Sequence, residues 1–175
     1  MQWSAFQHGQ KTFDLTHLHP CAMEFERAAE HEKPAVIFKM DVTFSLHCFP
    51  RRLPESGPYD KRLEYSDPSE TRLFDSDRYE LSKRLPEIVR DLPQRKCRHT
   101  GHGNYFSVEI IRENGTTVEY DIFFKVTKPA KSRLALHIQS AYVRDANFNS
   151  SRPSGKPIRF LVILHNTLNK IPIKS

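Results

Sequence analysis

Residues 35–49 read AVIFKMDVTFSLHCF, and their alternation decides the fold class. Val36, Phe38, Met40, Val42, Phe44, Leu46 and Cys48 fall on one face of an extended chain. Lys39, Asp41, Thr43, Ser45 and His47 fall on the other. A repeat of two over this length predicts one long strand over 35–49 with a single apolar face. A strand of that kind needs neighbours along its edges and a layer over its apolar side, so further strands and a helix must lie elsewhere in the chain.

Both appear downstream. NYFSVEII (104–111) and TVEYDIFFKVTK (117–128) flank RENGTT, in which Asn114-Gly115 is a hairpin turn signal. SRLALHIQSAYVRD (132–145) and IRFLVILHN (158–166) read as two more strands. The helix is DSDRYELSKRLPEIVRDLP (75–93), with acidic and Ser caps and an apolar stripe of Tyr79, Leu81, Leu85, Ile88, Val89 and Leu92. Pro86 is expected to kink or split it, and Pro93 to end it. Upstream, residues 1–34 show little period and read as an irregular arm. Pro20 biases His19 toward extended backbone, and 21–33 suits a short helix or an irregular strand. Residues 50–76, rich in Pro, Ser and charge, read as a long surface loop. The expectation is one α+β domain over 1–175: one helical segment packed on a mainly antiparallel sheet of about five strands, with the helix and most of the sheet in 77–175.

Composition narrows the classes. No apolar run approaches a membrane span, and the N-terminus lacks a basic-then-apolar signal layout, so a cytoplasmic protein is expected. Cys21, Cys48 and Cys97 are too few for a disulfide scaffold. The net charge is +6, and residues 151–175 alone carry five Lys/Arg and no acid. A second basic spot lies at Arg95, Lys96 and Arg98. Basic surfaces favour polyanions by counterion release, so RNA is the expected partner.

QRKCRHTGHGNYF (94–106) concentrates chemistry-bearing residues. Cleavage of RNA without a metal needs a group to take the 2′-hydroxyl proton, a second to protonate the leaving oxygen, and a cation for the transition-state charge. Histidine suits the first two roles and arginine the third. Candidate groups are His99 and His102 in the Gly-flanked loop, Tyr142 and Arg144 in SAYVRD, and His165 in LHNTLNK. Arg51, Arg52, Arg95, Lys96, Arg98 and Lys170 are candidate phosphate contacts. Tyr105 and Phe106 are candidate stacking surfaces. His47 stands beside Arg51 and Arg52 in LHCFPRR, while His137, between Leu136 and Ile138, reads as a structural strand residue.

Alternatives share these residues. Cys97, His99 and His102 form a Cys-x-His-x-x-His run that would hold zinc with a fourth ligand such as His19 or Cys21, although no Cys-x-x-Cys pair exists. Otherwise no cofactor is expected. Glu119, Asp121 and Lys125 alternate on one strand without the acid-x-lysine spacing of the PD-(D/E)xK nucleases. A non-enzymatic nucleic-acid-binding or regulatory module would carry the same charge.

The order of elements over roughly 77–170, a helical segment followed by antiparallel strands, resembles the small microbial ribonuclease fold of the RelE-type toxins, the EndoU group, barnase and the colicin-type nucleases. The resemblance implies a toxin or phage-defence endoribonuclease with catalytic groups on the sheet face and at strand ends. Onto this sequence it carries Arg98, His99, Tyr142, Arg144, His165 and Lys170. It also implies a neutralising antitoxin, protein or RNA. The strand at 35–49 and the loop at 50–76 depart from that layout.

Overall fold

The computed structural model describes residues 2–30, 34–100, 103–112, 114–129, 133–143 and 155–173. In chain order the elements are β1 (Phe6–His8), β2 (Lys11–Phe13), β3 (Cys21–Arg27), β4 (Val36–Phe44), β5 (Pro50–Arg51), β6 (Glu64–Ser66), β7 (Thr71–Phe74), α1 (Ser76–Ser82), α2 (Leu85–Arg90), β8 (Lys96–His99), β9 (Asn104–Ile111), β10 (Thr117–Thr127), β11 (Leu134–Val143), β12 (Lys156–Arg159) and α3 (Phe160–Leu168). The fold is α+β. Its main sheet has the order β12-β8-β9-β10-β11-β4-β3, seven strands rather than about five. Every pairing in it is antiparallel except β4 with β11.

The apolar face of β4 is buried as its alternation requires, through Phe38, Met40, Val42 and Phe44. The strand is shorter than the pattern, because Ser45 ends it. The Ser45 hydroxyl accepts from the His47 amide at 3.0 Å and donates to the Gln139 carbonyl at 2.5 Å, so residues 46–48 wind into a 3₁₀ turn. Leu46 and Cys48 are buried on that turn, which imitates two more strand positions.

The N-terminal arm is ordered, not irregular. Segment 21–27 is the edge strand β3, antiparallel to β4. The β1–β2 hairpin is pinned by rings: Phe6 stacks on Phe74 at 4.1 Å, and Phe13 meets Tyr79 edge-on at 5.2 Å. The 50–76 segment is a small sheet of order β5-β7-β6 rather than a loop. The helix breaks where Pro86 predicts, into α1 and α2.

The β9–β10 hairpin turns at Asn114-Gly115 as expected, with Gly115 at φ +79° and its amide donating to the Arg112 carbonyl at 2.9 Å. Of the segment 158–166, only 158–159 are strand, at the end of β12. After the short β12 the chain forms α3, burying Phe160, Ile163 and Leu164 at helical spacing. The Phe160 ring lies 6.0 Å from Phe124 and 5.1 Å from Phe25, which fixes α3 on one face of the sheet.

His17 joins the N-terminal segment to α1, with Nε2 2.8 Å from the Ser82 hydroxyl. Burial holds its pKa below the ordinary value, and does the same for His137. Both bind a proton more weakly folded than unfolded, so the unfolded chain takes up more protons at mildly acid pH. Their contribution is full above the unfolded pKa near 6.5 and is lost as pH falls through the lower folded values. The melting temperature is therefore expected to drop between pH 7.5 and 5. A His17→Gln variant is expected to show a shallower drop in the same thermal scans. Parallel curves for the two proteins would remove His17 from this account.

Candidate active site

Register separates the two faces of the sheet. Asn104 pairs with Phe124, Phe106 with Ile122, and His99 with Asn104, so all of these face α3. Arg98 pairs with Tyr105, Tyr105 with Phe123, and Asp121 with Tyr142, which places that set on the opposite, open face. The sheet itself therefore stands between His99 and Tyr142. His99 Nδ1 is 2.9 Å from the Asn104 side chain. His165 sits on α3, its Nδ1 3.3 Å from Asn169 of the same helix turn. His102 and Arg144 lie outside the described residues. The structure does not bring His99, Tyr142 and His165 into one site.

The expected phosphate contacts are scattered as well. Arg51, on the small sheet, is 4.0 Å from Asp75, and Arg52 is 3.5 Å from Glu55. Arg95 is 3.5 Å from Asp91. Lys96 is exposed, and Arg98 donates to the Gly155 carbonyl at 3.0 Å. Lys170 ends α3 in the left-handed region, at φ 56°. Neither expected stacking ring is available: Phe106 is in the core and Tyr105 is 3% exposed. Tyr105, Phe123 and Tyr142 stack across the open face, with centroids 5.4 and 5.7 Å apart and planes within 21° and 14°. Their ring faces cover one another, and the Arg78 guanidinium lies 6.0 Å from the Tyr142 ring.

For the zinc reading, Cys97 and His99 share one side of β8, and His102 lies outside the described residues. Cys97 faces the core, and burial pushes its thiol up to about 12, as it does for Cys48. Among the described residues no three His, Cys, Asp or Glu side chains are placed to hold an ion. Maleimide labelling of the native protein is expected to modify Cys21, the exposed cysteine, and to reach Cys48 and Cys97 only after denaturation. Modification of all three in the native state would contradict this packing.

The open face does carry a polar groove of about 730 Å³, within the range of ligand sites. Its working residues come from three elements: Thr43 and Ser45 at the end of β4, His47 on the following turn, and His137, Gln139 and Ser140 on β11. Glu70, from the β6–β7 turn, closes it. His47 Nε2 makes a close hydrogen bond to Glu70, whose other oxygen is 3.5 Å from Arg72. The turn that presents Glu70 is held by Asp67, which accepts from the Ser69 and Glu70 amides at 2.8 and 3.0 Å. The 50–76 excursion thus delivers a carboxylate to a histidine 23 residues earlier.

His137 Nδ1 is 2.9 Å from the Thr43 hydroxyl, and partial desolvation of this exposed residue lowers its pKa. Lys125 pairs with His137 on the same face. Among the described residues, His47 Nδ1 and His137 Nε2 have no hydrogen-bond partner, so each ring is held through one nitrogen and offers the other. A bulge arranges this surface. Ile138 pairs with Phe124 and Ser140 with Phe123, leaving Gln139 as an extra residue. Without it, His137 and Ser140 would face opposite sides.

Sequence reading missed this site for a definable reason. The alternation of Leu136, His137 and Ile138 placed His137 on the face away from the core, but its Thr43 partner is 94 residues away. His47 was read on a strand, where it would not have met Glu70. The Asp121 carboxylate of the alternating acidic set is fully buried and accepts a close hydrogen bond from Ser107, which makes it structural. A second groove of about 610 Å³, between α1, α2 and the β9–β10 turn, is lined by mixed charges such as Glu80, Arg84 and Arg112 and contains no histidine.

Comparison with curated proteins and with solved structures finds no match. A family model does match, over residues 5–168, a span that includes His47, Glu70, His137 and all seven strands of the main sheet. The chain belongs to the YjaZ family.

Proposed function

We propose that this protein is a metal-independent endoribonuclease whose acid–base pair is His137 and His47. One observation carries the reading: two imidazoles in different environments line a single groove, each with one ring nitrogen engaged and the other free. Paired titratable groups in contrasting settings are how a site divides acid and base roles. His137, its Nδ1 held at the Thr43 hydroxyl, is the base. It takes the proton of a 2′-hydroxyl, whose oxygen then attacks the adjacent phosphorus. His47 is the acid, oriented by Glu70, whose carboxylate complements the charge of the protonated ring. It gives its proton to the departing 5′-oxygen. Lys125, beside His137 in the register, complements the phosphorane charge. The products are a 2′,3′-cyclic phosphate and a 5′-hydroxyl.

The same chemistry makes free activity harmful to a cell, which supports the toxin or phage-defence setting and a neutralising partner, protein or RNA. The cytoplasm is where such a substrate is met. No helix among the described residues is long and apolar enough to cross a membrane. The test is incubation with end-labelled single-stranded RNA in EDTA. Cyclic-phosphate ends are expected, and a 2′-deoxy substitution at the cleaved nucleotide is expected to stop the reaction. RNA retained intact would instead favour a binding module.

A further inference from the structure

We propose that Gln139, the residue inserted by the β11 bulge, reads the edge of an unpaired base in the groove, and that the base is adenine. The inference rests on the ribonuclease reading for its ligand class and adds the recognition step. Three observations support it. The bulge projects Gln139 out of the ladder between His137 and Ser140, and its side chain is exposed and lines the groove. Its backbone is fixed, because the Ser45 hydroxyl donates to its carbonyl at 2.5 Å. Its amide rests against Gly103, where a Cβ would lie 3.2 Å from Gln139 Oε1 and 3.3 Å from the Phe124 carbonyl. Glycine at 103 thus leaves room for the amide to lie close to the sheet.

Stacking does not supply recognition here, since the faces of Phe123 are covered by Tyr105 and Tyr142. What remains is hydrogen bonding to a base edge. A carboxamide offers a donor beside an acceptor, and adenine alone presents the complementary pair on its N6/N7 edge, N7 accepting and N6 donating. In paired RNA that edge lies in a deep, narrow groove that side chains cannot read, so the matching substrate is a single strand. Lys125 then takes a neighbouring phosphate irrespective of sequence.

The experiment uses fluorescent pentanucleotides with 2′-O-methyl sugars, which cannot be cleaved, varied at the central base within a uridine background. Fluorescence anisotropy is read on the full-length protein. The wild type is expected to bind the adenine pentamer about tenfold or more tightly than the others. Gln139→Leu is expected to bind all four alike, at the level of the weaker wild-type complexes. Gln139→Glu, which cannot donate to N7, is expected to lose the adenine preference. Gly103→Ala is expected to reduce the adenine preference by displacing the amide. Equal binding of all four bases by the wild type, or an unchanged preference in Gln139→Leu, would overturn the inference. Unmodified RNA assayed alongside separates the two proposals. A base preference without cleavage leaves Gln139 as the reader and removes the acid–base assignment. Cleavage without a preference does the reverse.

Discussion

Replacing His137 with alanine is expected to slow RNA cleavage by about 10²–10⁴-fold, the range for loss of a general base. At about 1.36 kcal/mol per decade this is roughly 3–5 kcal/mol of transition-state stabilisation. The melting temperature should change little, because the ring lies on the open face and its partner Thr43 keeps access to solvent. His47→Ala should give a loss of the same order, and the double variant little more, since acid and base act in one concerted event. Glu70→Gln should cost less than either, because it leaves the imidazole in place and alters only its orientation and charge partner. His99→Ala and His165→Ala serve as opposite controls: both lie on the far side of the sheet and should cleave at the parent rate. Full activity in His137→Ala, with loss in His99→Ala, would return the site to the Arg98–His99 region and refute the groove.

The second large effect concerns α3. Phe160 is fully buried between Phe124 and Phe25, so Phe160→Ala should destabilise the fold by about 3–5 kcal/mol, the usual cost of a cavity of that size. For a domain of ordinary stability this is a large fraction of the total. The informative comparison is between its neighbours. On a helix, Ile163 faces inward and Val162 outward. On a strand, Val162 would share the inward face with Phe160, and Ile163 would not. Ile163→Ala should therefore cost about 2–5 kcal/mol, and Val162→Ala about 0.5 kcal/mol or less, in urea titrations. The reverse ranking would show that residues 158–166 form a strand.

That segment also shows where sequence stops being informative. RFLVILH is a short apolar run, and such runs fit a buried strand and a buried helix equally well until the neighbours are known. Where a local device exists, the reading holds. Asn114-Gly115 made the hairpin legible, Pro86 the break between α1 and α2, and the alternation through Phe38, Met40 and Val42 the strand β4. Features set by distant partners were not legible. Segment 21–27 is an edge strand only because β4 presents a free side, and the small sheet of 50–76 exists only because β5 and β7 meet. For the site, residue types drew attention to His99, Tyr142 and His165, but only the register shows that a sheet lies between them. His137 looked structural because its apolar neighbours are, and nothing local signals the extra residue at Gln139.

The parallel pairing of β4 with β11 has a consequence for biosynthesis. The residues it aligns, such as Thr43 and His137, are 94 apart, and β8, β9 and β10 of the same sheet lie between them in the chain. A growing polypeptide on the ribosome cannot complete this pairing until β11 has emerged, and closing so long a loop is slow relative to local hairpins. Until then β4 has an unpaired side and an uncovered apolar face, the kind of nascent surface that holdase chaperones engage. The groove histidines meet only at that late step. Chains that end before β11 carry His47 and Glu70 without His137, so the groove forms only once translation has passed that strand.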